Sequence, residues 1–139
     1  MRLKFVQRET VKNNIAYTLM LHDIYLWLLR RTDLAGQARD MIVKASLVTL
    51  GSIAEAILVD HYTGKMGARQ RFTSRTNRLL SEEIISVELK KNLDWLWDMR
   101  CRQHLYELTH AEFDLYEITD HKRAIAAVSN LFEALGKAV

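Results

Sequence analysis

The residues best suited to chemistry in this 139-residue chain are Arg100 and His104. They continue a stripe of Ile85, Leu89, Leu93 and Leu96. At about 100° per residue, all six positions fall within an arc of roughly 100° on one helix. A seam that begins as apolar core therefore ends in a guanidinium and an imidazole one turn apart. Polar groups on such a seam must be paired or must line a cleft, because burying them unpaired is costly. A guanidinium holds a phosphate through its bidentate fork. An imidazole titrates near neutrality and can move protons. Together they are the smallest set that can cleave RNA, whose own 2′-hydroxyl serves as nucleophile, and that reaction requires no metal. The plain alternative is a helix end fraying into solvent with both side chains exposed.

Several other residues extend this set. Arg102, two positions along, faces elsewhere and could contact a neighbouring phosphate. Glu55 sits in the apolar run SIAEAILV, where a carboxylate needs a partner. Arg100 is the functional candidate for that partner, whereas Lys44 lies too far along the same face. A structural ion pair or a solvent-facing carboxylate is the simpler reading. Arg69, Arg71, Arg75 and Arg78 cluster in TGKMGARQRFTSRTNR and could track an RNA backbone, or merely solvate a surface loop. Trp95 and Trp97 face different sides of their helix, so one belongs in the core. The other suits an interface or, less simply, a base-stacking platform. His22, His61, His110 and His121 are scattered without ligand spacing, and Cys101 is the sole cysteine. No metal site is expected from them. With no glycine-rich phosphate loop either, no cofactor is expected.

The elements that must position these residues are helices. The chain holds no proline, where an average sequence of this length carries about seven. Proline breaks helix interiors, so its absence favours long helices. The length suits one domain spanning 1–139, and a 49 % hydrophobic composition suffices for a core. The periodicity predicts an all-α, up-and-down bundle of four main helices. The first runs from about Gln7 to Arg30, with Ile15, Leu19, Leu26 and Leu29 inward. The second runs from about Leu34 to Tyr62, with Asp33 as a candidate N-cap. Residues 63–78 read as the longest irregular stretch. A third helix starts near Ser81, capped by it, and continues to about Leu105. After a loop spanning Thr109 to Thr119, a fourth runs from Asp120 to near Gly136, burying Ala124, Val128, Leu131 and Leu135.

The two most apolar runs, Ile15 to Leu29 and Ala45 to Val59, carry His22, Asp23, Ser52 and Glu55. Both read as buried core helices, with no membrane span. The N-terminal residues lack the apolar region of a signal peptide. A single cysteine fits a reducing, cytoplasmic location. The net charge of +3 permits an anionic partner without requiring one.

The segment LLSEEIISVELKKNLDWLWDMRCRQHLYELTHAEFDLYEITDHKRAIAAVSNLFEAL resembles the C-terminal half of HEPN domains. In that family a long helix ends in an Arg-Asn-x-x-x-His type motif, followed by an acidic and aromatic stretch and a final Ala- and Leu-rich helix. MIVKASLVTLGSIAEAILVDHY is similar to the family's second helix. The likeness covers Asp40 to Leu135 in pattern and order. Arg100 matches the motif arginine, His104 its histidine, and Tyr106 the tyrosine of a toxin subgroup with His-x-Tyr. There a nucleotidyltransferase antitoxin modifies that tyrosine. Three residues separate Arg100 from His104, against four to six in the family, and Cys101 stands where an Asn usually follows the arginine. The resemblance implies a metal-independent endoribonuclease, as in the toxins of toxin–antitoxin pairs, acting as a homodimer in which two copies of the motif helix share one cleft. Single-stranded or loop RNA is the expected substrate. The alternative it implies is an inactive HEPN-like module that dimerises and binds RNA or a nucleotidyltransferase.

Overall fold

The computed structural model describes residues 3–102 and 117–138. Among these residues the chain is all-helical: α1 (Glu9–Arg31), α2 (Gly36–His61), α3 (Phe72–Ser81), α4 (Val87–Cys101) and α5 (Ile118–Ala138). The α2 helix is the hub and packs against each of the other four. It is long and apolar enough to cross a membrane by length and composition. Its apolar side chains are spent on the core instead, with Val43, Leu47, Leu50, Ile53, Ala54, Ile57 and Leu58 buried. On α5 the predicted stripe of Ala124, Val128, Leu131 and Leu135 is buried as the periodicity requires.

One helix was not foreseen. The stretch read as irregular contains α3, whose inward positions Phe72, Arg75, Thr76 and Leu79 keep helical spacing. Two of those four are polar, so the stripe is hidden from a hydrophobic pattern. The end of α3 is equally cryptic. Glu83 N–H donates to Leu80 O and Ile84 N–H to Leu79 O, a Schellman closure, with Glu83 in the left-handed region at φ 60°. Glycine normally signals that turn.

The predicted helix from Ser81 to Leu105 is therefore divided and shorter. Ser81 closes α3, Ile85 is buried in the connection, and Ser86 caps α4 by accepting the Leu89 N–H at 3.0 Å. Asp33 does not cap α2, which begins at Gly36 with Ala35 as N-cap and no side-chain bond. The last helix begins at Ile118, two residues before the expected Asp120, and the Asp120 carboxylate accepts the Glu117 N–H at 3.1 Å.

The first apolar run is buried on one side only. Ile15 and His22 face inward, and Leu19 and Leu29 pack partly against the core. Tyr17, Met20, Leu21, Ile24 and Trp27 stand exposed on the rest of the helix. At the start of α1, the buried Asp60 carboxylate accepts the Gln7 N–H at 2.7 Å and the Arg8 N–H at 3.1 Å. Arg8 Nε completes an ion pair with it at 3.3 Å. Two orphan backbone donors and one cation thus satisfy a carboxylate that would be prohibitively costly alone.

Where α2 and α4 cross, Gly51 lets the backbones approach. A Cβ added there would lie 2.9 Å from Arg100 Cβ. That neighbour is anchored to the α4 backbone, so the helices must separate to make room. Gly51→Ala is expected to destabilise the fold by about 1–3 kcal/mol, outweighing the roughly 0.5–1 kcal/mol helix-propensity gain. Gly136→Ala, which meets nothing within 4 Å, retains that gain. Thermal unfolding of both variants checks the opposite signs.

Candidate functional site

Leu89, Leu93 and Leu96 are buried along α4, and Arg100 follows one turn later, half-buried. The seam read from the sequence therefore holds through Arg100. The α4 helix ends at Cys101, with Arg102 as its C-cap. His104 and Tyr106 lie outside the described residues, as does His110. Arg102 is the C-cap and pairs with Asp98 at 2.9 Å on the surface.

The guanidinium of Arg100 is fixed from two sides. Its Nε donates to Ser52 Oγ at 3.3 Å, and its Cζ lies 4.8 Å from the centroid of the Trp97 ring. Cation–π attraction of this kind is worth about 0.5–2 kcal/mol, depending on desolvation. Trp97 in turn stacks on Phe72 of α3, with centroids 4.9 Å apart and planes inclined by 6°. Trp95 carries a separate cation, Arg123, whose Cζ is 4.1 Å from its ring and whose Nε donates to Asn92 at 2.9 Å. Both tryptophans are half-buried, so neither is the wholly internal one expected.

The proposed pairing of Glu55 with Arg100 is not formed. Arg100 uses Ser52, and Glu55 makes no hydrogen bond or ion pair among the described residues. Glu55 instead faces a pocket of about 290 Å3 between α2, α3 and α4, with Arg71, Phe72, Thr73, Arg75 and Trp97. The fold thus gathers Glu55, two of the four clustered arginines and one tryptophan around one cavity, with Arg100 on the tryptophan ring.

The four clustered arginines divide by environment. Arg69 and Arg71 are exposed and form no side-chain bond among the described residues. Arg75 is buried, donating from Nη1 to Gln70 O at 2.8 Å and from Nη2 to Gly67 O at 3.4 Å. It braces the loop before α3 and cannot track a surface backbone. Arg78 pairs with Glu82 at 2.9 Å, donates to Lys65 O at 3.0 Å and lies over the Tyr62 ring. Its charge is largely committed within the fold.

No spacing in the chain signals that two of the scattered histidines meet. His22 of α1 and His121 of α5, both buried, place their Nε2 atoms 2.9 Å apart. The ring centroids are 5.1 Å apart, close to the greatest separation that this bond allows. The nitrogens therefore meet head-on, as in a hydrogen bond in which one neutral ring donates and the other accepts. A 99-residue separation leaves no local spacing to read. Among the described residues no three His, Cys, Asp or Glu side chains are placed to hold a metal ion.

Burial lowers the pKa of both histidines, and Arg30 lowers them further, while Asp23 partly opposes this at His22. His121 is pushed down to about 4, with the His22 ring contributing. The fold holds both rings neutral, whereas the unfolded chain takes up protons near pH 6.5. Their contribution to stability is thus complete above that pH and declines as pH falls toward 4. Melting temperature is expected to drop between pH 7 and pH 5, above the main carboxylate range. The drop should be shallower in a His22→Leu/His121→Leu double variant, measured by circular dichroism. An unchanged slope would assign the dependence to other groups.

Compared with known proteins, the chain matches no family model, no curated protein and no solved structure, so its site is read from its own residues.

Proposed function

We propose that this domain binds single-stranded RNA across the surface around α3 and the end of α4, and cleaves it without a metal as a HEPN-type ribonuclease. The observation that supports this most directly is that Arg71 lines the pocket that Trp97 also lines, while Arg100 lies on the Trp97 ring. Neither arginine has a carboxylate partner among the described residues. Guanidinium groups bind phosphate in two-point fashion, and an unpaired strand can adapt its backbone to them. Arg69 extends the cationic surface.

In this reading the helices correspond to the four-helix HEPN-like bundle, with α3 as an added element in the connection. Arg100 stabilises the phosphate, and His104 moves the proton of the 2′-hydroxyl or the leaving 5′-oxygen. Two copies associate so that their α4 ends share a cleft. Tyr106 is the position at which a nucleotidyltransferase antitoxin would act, and such a pair would work in the cytoplasm.

A second reading has its own support. Arg100 already spends its Nε on Ser52 and its face on Trp97, as a structural arginine would. With the shortened Arg100-to-His104 spacing, this favours an inactive HEPN-like module that binds RNA or a nucleotidyltransferase.

Purified protein incubated with end-labelled RNA in excess EDTA separates the two. Cleavage that leaves 2′,3′-cyclic phosphate ends, and falls at least 100-fold, as loss of a catalytic proton-transfer group would cause, in both Arg100→Ala and His104→Ala, is the expected result. Binding without cleavage by folded wild-type protein, purified without a nucleotidyltransferase, would leave the binding module standing.

A further inference from the structure

Five of the six large hydrophobic side chains that stand exposed among the described residues lie on α1. Tyr17, Met20, Ile24 and Trp27 are 56–67 % exposed, and Leu21 is 41 % exposed. At about 100° per residue they share an arc of roughly 120°, centred opposite the inward Ile15 and His22. No other position between Tyr17 and Trp27 enters that arc, so it contains no charged group. Asn13 bounds it at one end and Arg31 at the other, both exposed. Among the described residues the backbone of α1 lies close to α2 alone, on the inward side.

The spacing and the area of this face both point to a helix as its partner. Tyr17, Met20, Ile24 and Trp27 recur at intervals of three, four and three, the repeat by which one helix seats another. At roughly 200 Å2 for one fully exposed large side chain, the five present about 570 Å2. The largest apolar patch of an ordinary monomer is about 300–600 Å2, so this one lies at the upper end. Two such faces pressed together bury about 1,100 Å2, just above the roughly 1,000 Å2 that a specific interface needs.

The face also matches itself, as a two-fold interface requires. An axis midway between Met20 and Ile24 sets two α1 helices antiparallel. Met20 then meets the partner's Ile24, Tyr17 meets the partner's Trp27, and Arg31 lies beside the partner's Asn13. Parallel pairing would instead crowd Arg30 and Arg31 of both copies and align the two helix dipoles. A lipid surface is a poorer match. The stretch from Tyr17 to Trp27 carries one charge, that of Asp23, and none of the lysines or arginines that hold an interfacial helix to anionic lipid.

We propose that the outer face of α1 is a homodimer interface, in which two copies of this chain pair antiparallel with Met20 and Ile24 at the axis. It is separate from the association of α4 ends in the ribonuclease reading and does not rest on that reading.

Sedimentation equilibrium of the whole protein, from about 1 to 200 μM, tests this across the micromolar range where small interfaces dissociate. A dimer is expected. Met20→Glu and Ile24→Lys, both at exposed side chains, should each weaken it about tenfold or more, because a charge then faces an apolar side chain. An equimolar mixture of the two variants should associate more tightly than either alone, since the antiparallel register opposes the new carboxylate to the new ammonium. Unchanged circular dichroism shows that both variants are folded. If α4 ends also join, the wild type exceeds a dimer and each variant falls back to one, which supports the proposal equally. Dimerisation without RNA cleavage leaves it standing and removes only the ribonuclease reading. A monomer at every concentration, a dimer indifferent to both substitutions, or a mixture no tighter than its components would overturn it. So would a monomer that floats with vesicles of anionic phospholipid, which would assign the face to a membrane surface.

Discussion

The contact between Gly51 and Arg100 governs the rest of the site. Glycine within a helix gives up conformational entropy and packing, and here the return is proximity. Because α4 can settle directly onto α2, the side chain of Arg100 reaches Ser52 and lies across Trp97. Trp97 is thereby brought against Phe72 at the start of α3, and the pocket opens where the three helices meet. A larger residue at 51 would move α4 outward and disturb each of these contacts at once. The polar cluster and the core packing are two views of one close approach.

Electrostatics divides the arginine-rich region by what each side chain can reach. Arg75 and Arg78 turn back to carbonyl groups and to Glu82, which stiffens a glycine-containing loop. Arg69 and Arg71 do not. Two of its four arginines therefore build this region and the other two charge its surface. Exposed surface pairs such as Arg102 with Asp98 add little to stability, because water and salt screen them. Asp60 is different, since its carboxylate is buried and every contact it makes substitutes for lost hydration.

How much of this was legible in the sequence depended on whether a residue's neighbours are near in the chain. Periodic leucines and alanines announced α2, the buried face of α4 and the whole of α5. The α3 helix stayed hidden because Arg75 and Thr76 occupy half of its inward face, and because Glu83 rather than glycine closes it. Half-exposure of α1 was equally obscure: apolar residues on both sides of a helix look the same whether the outer side is covered or not. Among the candidate site residues, the placement of Arg100 on the α4 seam followed from spacing alone. The Ser52 contact, the gathering of Glu55 with Arg71 and Arg75, and the meeting of His22 with His121 arise from helix crossings, and no local pattern encodes those.

The histidine pair has a consequence for how the chain is made. A helix emerging from the ribosome as α1 carries an imidazole that its own neighbours do not satisfy. Among the described residues the backbone of α1 lies close to α2 alone, and the bond partner of His22 is supplied by α5. Until that helix has been synthesised and has docked, the imidazole of His22 has water in place of its protein partner. Completion of the fold is tied to completion of the bundle by one hydrogen bond across 99 residues of chain.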